Sequence, residues 1–519
     1  MSRNASFHAL LALSLLGCSA STSADTASLP PQHGSVGVGQ GGAQDIGEFR
    51  SILSSGAVPS PDTLDPVGFF AEHALTLPAA DCGDTICAQG SLAVARRFDG
   101  SPWQMAFVAL NSSVDASTLV RPPVHTVIVV EHTRRLETEL GSIFDALHRF
   151  TVPLRAEDRV TIIEVEASAT VLASAVGPTD PSLAAAATTL AGPTTATTAA
   201  TYDGLALAAD ALSDASWTGH RHVLLVTSGH ADAGLTSRDQ VLALAQGLLE
   251  SGATLSLVGT GDDYADALPI AIGELGGGGY YFAQDGADLS DVLDLEGRTA
   301  LFPIARDFTM RVTAAPGYTI GRTYGAARAT STPSVATLSS TLLLLGQRTG
   351  PSDVEGGRRG GGGGFFVELE PDAANVKPAG APAFTVEISY TDTSTGNPVT
   401  RTTSYVNPLA SDQTPGGNLP ELGDTTQAEA FMMLNMYLTL KTSTELYSDG
   451  DCARAMGTID MMQQTIEWWQ GSAFASPDIQ ADWQLVNALR DTLDTQCSAM
   501  GAVTPIPPAS SFHGSCFID

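Results

Sequence analysis

Two short stretches of this chain carry residues able to do chemistry: Glu131-His132-Thr133-Arg134-Arg135 and Thr227-Ser228-Gly229-His230. A serine two residues before a histidine suggests a nucleophile, Ser228, and its base, His230. No Gly-x-Ser-x-Gly turn surrounds that serine, and no acid is placed to orient the imidazole. His220, His222 and His230 suggest a metal site. The roughly eight extended residues between His222 and His230 span about 26 Å, too far for one ion. Asp262, Asp263 and Asp266 cluster after an apolar run, but Asp263 and Asp266 suit a helix N-terminus, where carboxylates complement the dipole. The glycine run 356–364 offers Arg358 and Arg359 to a phosphate, yet lacks the lysine-serine ending and following helix of a phosphate loop. Glu131 is different. It ends an apolar run, and a buried carboxylate needs a partner. Arg134 or Arg135, or the hydroxyls of Thr227 and Ser228, are placed to supply one.

Each stretch needs an element to position it. Thr126 to Val130 is an uninterrupted apolar run, the signature of a strand buried on both faces. Leu136, Leu140, Ile143, Phe144 and Leu147 then recur at helical spacing. Strand, polar turn and helix make the first half of a βαβ unit. Ligands of open α/β sheets bind at the carboxyl ends of strands, which puts residues 131–135 where function should sit. Strand-like runs recur at 160–166, 169–172, 222–226, 254–258 and 279–282. Helical segments at 181–190, 202–212, 237–251, 265–275 and 289–293 alternate with them, as in a doubly wound, mainly parallel sheet.

The rest of the chain reads differently. Residues 46–53 and 62–73 suggest short helices, and 90–111 a hairpin about Asp99-Gly100. Runs at 308–312, 341–345, 365–369, 384–390 and 400–406, separated by Gly, Pro and Ser, suggest a β-sandwich. Helical patterns follow at 425–447, 451–471 and 477–497, where Phe431, Met432, Met436, Met461, Met462, Trp468 and Trp469 suit a helical core or, in part, a binding face. The expected organisation is a signal peptide (1–18), a flexible tether (19–44), an N-terminal part of the β domain (45–122), an α/β domain (123–299), a β-sandwich (300–410), a linker (411–423), a helical domain (424–500) and a tail (501–519). Segments 84–120 and 303–406 are expected to fold as one β domain into which the α/β domain is inserted, because the earlier segment has too few strands to close a sandwich.

The formal net charge is −31, from 56 acidic and 25 basic residues, with no basic patch, which disfavours nucleic acid as a partner. Arg3, the apolar 9–16 and Leu15-Leu16-Gly17-Cys18 read as a lipoprotein signal with Cys18 lipidated. Ser19 favours the outer membrane. The membrane is then reached through the lipid anchor, since nothing else in the sequence approaches the roughly 20 apolar residues of a span. Outside the cytoplasm thiols pair. Disulfides are expected for Cys82–Cys87 and Cys452–Cys497, leaving Cys516 over.

Strand, turn and helix over 126–150, RVTIIEVEASATVLAS, the threonine-rich 194–201, HVLLVTSGHADAG and LSLVGTGDDYADALPIAIGELGGGGYYF together resemble a von Willebrand factor type A domain. The flanking segments are similar to a bacterial lipoprotein subfamily of such proteins. The resemblance implies a sheet sandwiched by helices and a role in binding other proteins. It also implies a divalent cation held by Asp-x-Ser-x-Ser, a threonine and an aspartate from three loops, all oxygen donors to a hard ion. Here those positions hold Glu131, Thr133 and Arg135, then Thr198 (or Ala199, depending on one gap), then Ser228. Glu131 and Thr133 are tolerable; Arg135 donates no oxygen, and Ser228 replaces the aspartate. A guanidinium about 5 Å from a divalent cation costs on the order of 6 kcal/mol at an effective dielectric near 20. The expected protein is therefore an outer-membrane-anchored, metal-independent interaction module, adhesive or scaffolding, without cofactor or catalysis. Its partner is an unidentified envelope or surface protein. A cation-dependent adhesion module with a rewired site and a hydrolase using Ser228 and His230 are the alternatives.

Overall fold

The computed structural model describes residues 36–506, apart from 40–41, 44–45, 74, 76, 97–101, 115–120, 262, 300–302, 327–328, 346–363, 414–424, 472–475 and 501–503. Cys18 and its signal, most of the expected tether, nearly all of the glycine run, Asp262, most of the linker and Cys516 lie outside the described residues. In chain order come strands β1 (Val36–Gly39) and β2 (Gly42–Ala43), helices α1 (Gly47–Ser54) and α2 (Pro66–Ala71), and strands β3 (Cys87–Arg96) and β4 (Pro102–Ser112). The α/β region runs β5 (Val124–Glu131), α3 (Glu137–Thr151), β6 (Arg159–Val165), β7 (Ala169–Val176), α4 (Pro181–Leu190), α5 (Thr201–Ala211), β8 (His220–Thr227), α6 (Arg238–Glu250), β9 (Ala253–Thr260), α7 (Ala267–Gly273), β10 (Gly279–Ala283) and α8 (Gly286–Thr299). Then follow β11 (Pro303–Ala314), β12 (Tyr318–Tyr324), β13 (Ala329–Ser331), β14 (Val335–Leu345), β15 (Phe365–Pro371), β16 (Pro382–Asp392) and β17 (Pro398–Val406). Helices α9 (Thr425–Ser448), α10 (Cys452–Gly471) and α11 (Pro477–Met500) close the series.

Every residue of β5 is buried. Ile128 and Val130 face one layer of helices while Val127 and Val129 face the other, so the strand needs apolar side chains on both faces. It lies between β6 and β8, parallel to both, in the order β2-β10-β9-β8-β5-β6-β7. β7 runs antiparallel at one edge. Helices α3, α4 and α8 cover one face, and α5, α6 and α7 the other. Phe144 leaves the stripe expected of it. It is 46% exposed, and Ala146 and Phe150 join Leu140, Ile143 and Leu147 in the core instead.

The β strands form a second sheet, β12-β15-β4-β1-β14-β11-β16-β17, with β3 on β4 and β13 on β14. One core holds Val94, Ala106 and Val108 together with Phe308, Val312, Val386 and Ile388, so the two halves face each other as a sandwich. Strand β4 pairs with β15, Phe107 opposite Phe366, which joins the chain before the α/β region to the chain after it. Alternate residues of β4 serve different layers. Ala106 and Val108 enter the sandwich, whereas Trp103, Met105, Phe107 and Ala109 pack under the C-terminal helices. The expected tether is shorter than 19–44: β1 joins β4 to β14, and β2 lies parallel to β10.

Helix α9 is apolar almost all round because it packs against α10 and α11 as well as the sheet, and Phe431, Met432, Met436 and Met462 are core rather than a binding face. The disulfide Cys452–Cys497 ties the start of α10 to the end of α11, and Cys82–Cys87 closes the loop before β3. No described helix is long and apolar enough to cross a membrane.

Candidate functional site

Strand β5 delivers Glu131 to the carboxyl edge of the parallel sheet, where it is 1% exposed. Four protein donors surround its carboxylate. Oε1 accepts from the hydroxyls of Thr133 (2.6 Å) and Ser228 (2.8 Å), and Oε2 from the Thr227 hydroxyl (2.9 Å) and the Ser228 backbone N–H (2.7 Å). These are charge-assisted bonds, which offset the desolvation that burial imposes. Thr133 Oγ1 also accepts from the Arg135 N–H at 3.3 Å, opening the turn into α3. Thr227 Oγ1 accepts from the Gly229 N–H at 3.0 Å. Gly229 has φ +83°, and a Cβ there would stand 1.9 Å from the Ala265 carbonyl, so only glycine lets the third loop pass beneath the next.

The arginines do not pair with Glu131. Arg134 points outward, 62% exposed and 3.7 Å from Glu137. Arg135 donates to Asp232 Oδ2 at 2.6 Å and lies 3.6 Å from Asp263. Burial opposes the charge on Arg135, but Asp232, Glu131 and Asp263 more than offset it and hold the guanidinium above its usual pKa. Asp232 in turn accepts from the Ala199 N–H at 2.7 Å. Burial pushes its carboxyl up, while Arg135 and that N–H hold it below the usual range. Asp232 thus joins the loop after β5, the loop before α5 and the loop after β8. The sequence alone does not single out Asp232, because Arg135, which it pairs with, lies 97 residues away.

Thr198 is half-buried and, among the described residues, makes no hydrogen bond to Glu131; the backbone of Ala199 and the hydroxyl of Thr201, which donates to the His230 carbonyl at 2.8 Å, carry that loop. The residues do not suit a hard divalent cation. Both oxygens of Glu131 already take protein donors, Thr198 stands apart, and Arg135 brings a fixed positive charge. The Ser228–His230 pair is not assembled either. Ser228 is fully buried with its hydroxyl donated to Glu131, and His230 Nε2 donates to the Asp263 carbonyl at 2.9 Å. His220 and His222 are core groups on one face of β8 that share the Thr254 hydroxyl, at 3.0 and 2.8 Å. Burial lowers both to a pKa of about 3, helped by Arg306, Arg121 and Arg221 at His220 and by His220 at His222, so both are neutral.

No family model matches the chain. A stretch of 101 residues is 28% identical to the uncharacterized protein YfbK of Escherichia coli (strain K12), covering 19% of this chain and 18% of that protein. Among solved structures, the chain is similar to a von Willebrand factor type A protein from Catenulispora acidiphila, with 14% identity and a TM-score of 0.49 over 74% of this chain and 87% of that one. It is also similar to the ArnB paralog VWA2 from Sulfolobus acidocaldarius, at 12% identity and a TM-score of 0.41, covering 79% and 98%. The pilus adhesin SpaC from Lactobacillus rhamnosus GG aligns at 10% identity and a TM-score of 0.31, over 64% of this chain and 49% of that one.

Proposed function

We propose that this chain, built around an α/β domain of the von Willebrand factor type A fold, is an adhesive or scaffolding module that binds a partner protein without a bridging magnesium or calcium ion. The observation that carries this reading is that protein donors fill both carboxylate oxygens at the sheet edge. Glu131 is satisfied by Thr133, Thr227 and Ser228, and Arg135 is clamped by Asp232. Loops fixed in this way present a surface that loses little entropy when a partner docks. Leu235, 44% exposed on the loop after β8, gives that surface an apolar contact. We place the protein at the outer membrane, held by a lipid on Cys18 with an envelope or surface protein as partner. The Leu15-Leu16-Gly17-Cys18 sequence supports this placement, as do two disulfides of the kind that persist outside the cytoplasm.

The test uses the full-length protein in detergent as bait for envelope extract, with and without millimolar magnesium and calcium. The reading expects the same partner retained in both conditions and lost with Leu235→Glu. Retention only when magnesium or calcium is added would favour the cation-dependent alternative.

A further inference from the structure

On the other side of β5 from Ser228, a second group of side chains meets at the same edge of the sheet. His132 follows Glu131 and is anchored by its backbone N–H to the Val165 carbonyl at 2.8 Å. Its ring is nearly buried, 6% exposed, and Nε2 lies 2.9 Å from the Gly192 carbonyl oxygen. A carbonyl only accepts, so Nε2 carries the hydrogen and Nδ1 is the nitrogen presented to the cluster. Nδ1 lies 2.6 Å from Glu164 Oε1 and 3.6 Å from Glu166 Oε1. The three ligand atoms all fall within 4.8 Å of one another. Among the described residues, no lysine or arginine pairs with either carboxylate.

We propose that His132, Glu164 and Glu166 form a binding site for a divalent transition-metal cation of the zinc class. One imidazole nitrogen and two carboxylate oxygens suit zinc, whereas magnesium and calcium prefer six or more oxygens. A tetrahedral zinc with bonds of about 2.1 Å sets its ligand atoms about 3.4 Å apart. Glu166 already stands at that distance from Nδ1, and Glu164 has to withdraw by less than about 1 Å. The supports of a zinc ligand set are also in place. The Gly192 carbonyl fixes the histidine tautomer, and Thr194 donates to Glu166 Oε1 at 2.7 Å, orienting the ligand that is most exposed. Two carboxylates then balance the two positive charges. Three protein ligands leave a fourth position open toward Glu166, whose side chain is 40% exposed. The site shares no ligand with the Glu131 cluster and does not rest on the interaction reading.

Zinc affinity of the full-length protein, measured by competition with a chromophoric chelator, tests the assignment. One equivalent should bind at micromolar affinity or tighter. Affinity should fall at least tenfold in His132→Gln and in Glu166→Gln, the latter an exposed and structurally mild change. It should hold in His230→Gln, which removes the other imidazole of this edge. Cobalt(II) should give the intense visible absorption of a four-coordinate ion. Absence of binding in the unsubstituted protein, or equal affinity in Glu166→Gln, would overturn the proposal.

Discussion

The closed edge makes a quantitative prediction about Glu131→Ala. The substitution strands four donors: the hydroxyls of Thr133, Thr227 and Ser228, and the Ser228 N–H. The hydroxyls can turn toward water admitted by the missing side chain, but the backbone N–H cannot. Each buried donor left unsatisfied costs about 1–3 kcal/mol. With partial rescue by water, the sum comes to about 3–5 kcal/mol, the usual cost of removing one partner from a buried charged network. For a domain of about 150–250 residues, each kcal/mol moves Tm by roughly 2–4 °C, so Tm should fall by about 10 °C. Glu131→Gln keeps the shape but turns an amide N–H₂ toward groups that already donate, and should cost about 2 kcal/mol. Thr198→Ala, half-buried and without a bond to Glu131, should stay within about 0.5 kcal/mol. Differential scanning calorimetry of the three variants decides the matter. A Glu131→Ala melt within 2 °C of the unsubstituted protein, or a Thr198→Ala loss of equal size, would refute the reasoning.

Stability should decline below neutral pH. The imidazoles of His220 and His222, held at about 3 when folded and near 6.5 when unfolded, bind protons preferentially in the unfolded chain. Their contribution is complete above pH 6.5 and is lost as pH falls toward 3; between pH 7 and 5 the loss is roughly 2 kcal/mol for each ring, read from urea melts. His222 faces Glu296 at 3.4 Å, and burial pushes the Glu296 carboxyl above its usual pKa. Cys452→Ser with Cys497→Ser should cost about 4 kcal/mol in the loop-entropy model for a closure 45 residues long, and peptide mapping without reduction should recover the bridge. Cys18→Ala should move the protein to the soluble fraction or leave its signal uncleaved; unchanged detergent partitioning would count against the lipid anchor.

The α/β layer was legible because its strands announce themselves. The run 126–130 is apolar on both faces, and only a central parallel strand is buried that way. Phe144 misled because helical spacing defines a stripe without fixing its edge, and the burial of Phe150, nearly two turns later, rotates the stripe away from it. The strands β1 and β2 carried no signal. Val36–Gly39 and Gly42–Ala43 sit in a glycine-rich stretch whose pairing depends on partners hundreds of residues away. At the site, Arg135 and Ser228 stand where the sequence reading expects oxygen ligands, and the buried position of Glu131 was legible from the apolar run before it. The partners were only half readable: the sequence offers the hydroxyls of Thr227 and Ser228 to Glu131, but not the destination of Arg135. Asp232 reaches Arg135 across 97 residues of sequence, a distance that no local pattern encodes.

Thermal melting against magnesium and calcium tests the central claim most directly, since a ligand that binds only the native state must raise its Tm. An ion at 10 mM with a dissociation constant of about 100 µM would add about 2.7 kcal/mol, a shift of several degrees. A carboxylate already saturated by Thr133, Thr227 and Ser228, beside a fixed guanidinium, predicts a Tm within about 1 °C of the ion-free value. A rise of several degrees with magnesium or calcium, lost in Glu131→Gln, would contradict it and restore a cation to the carboxyl edge of the sheet.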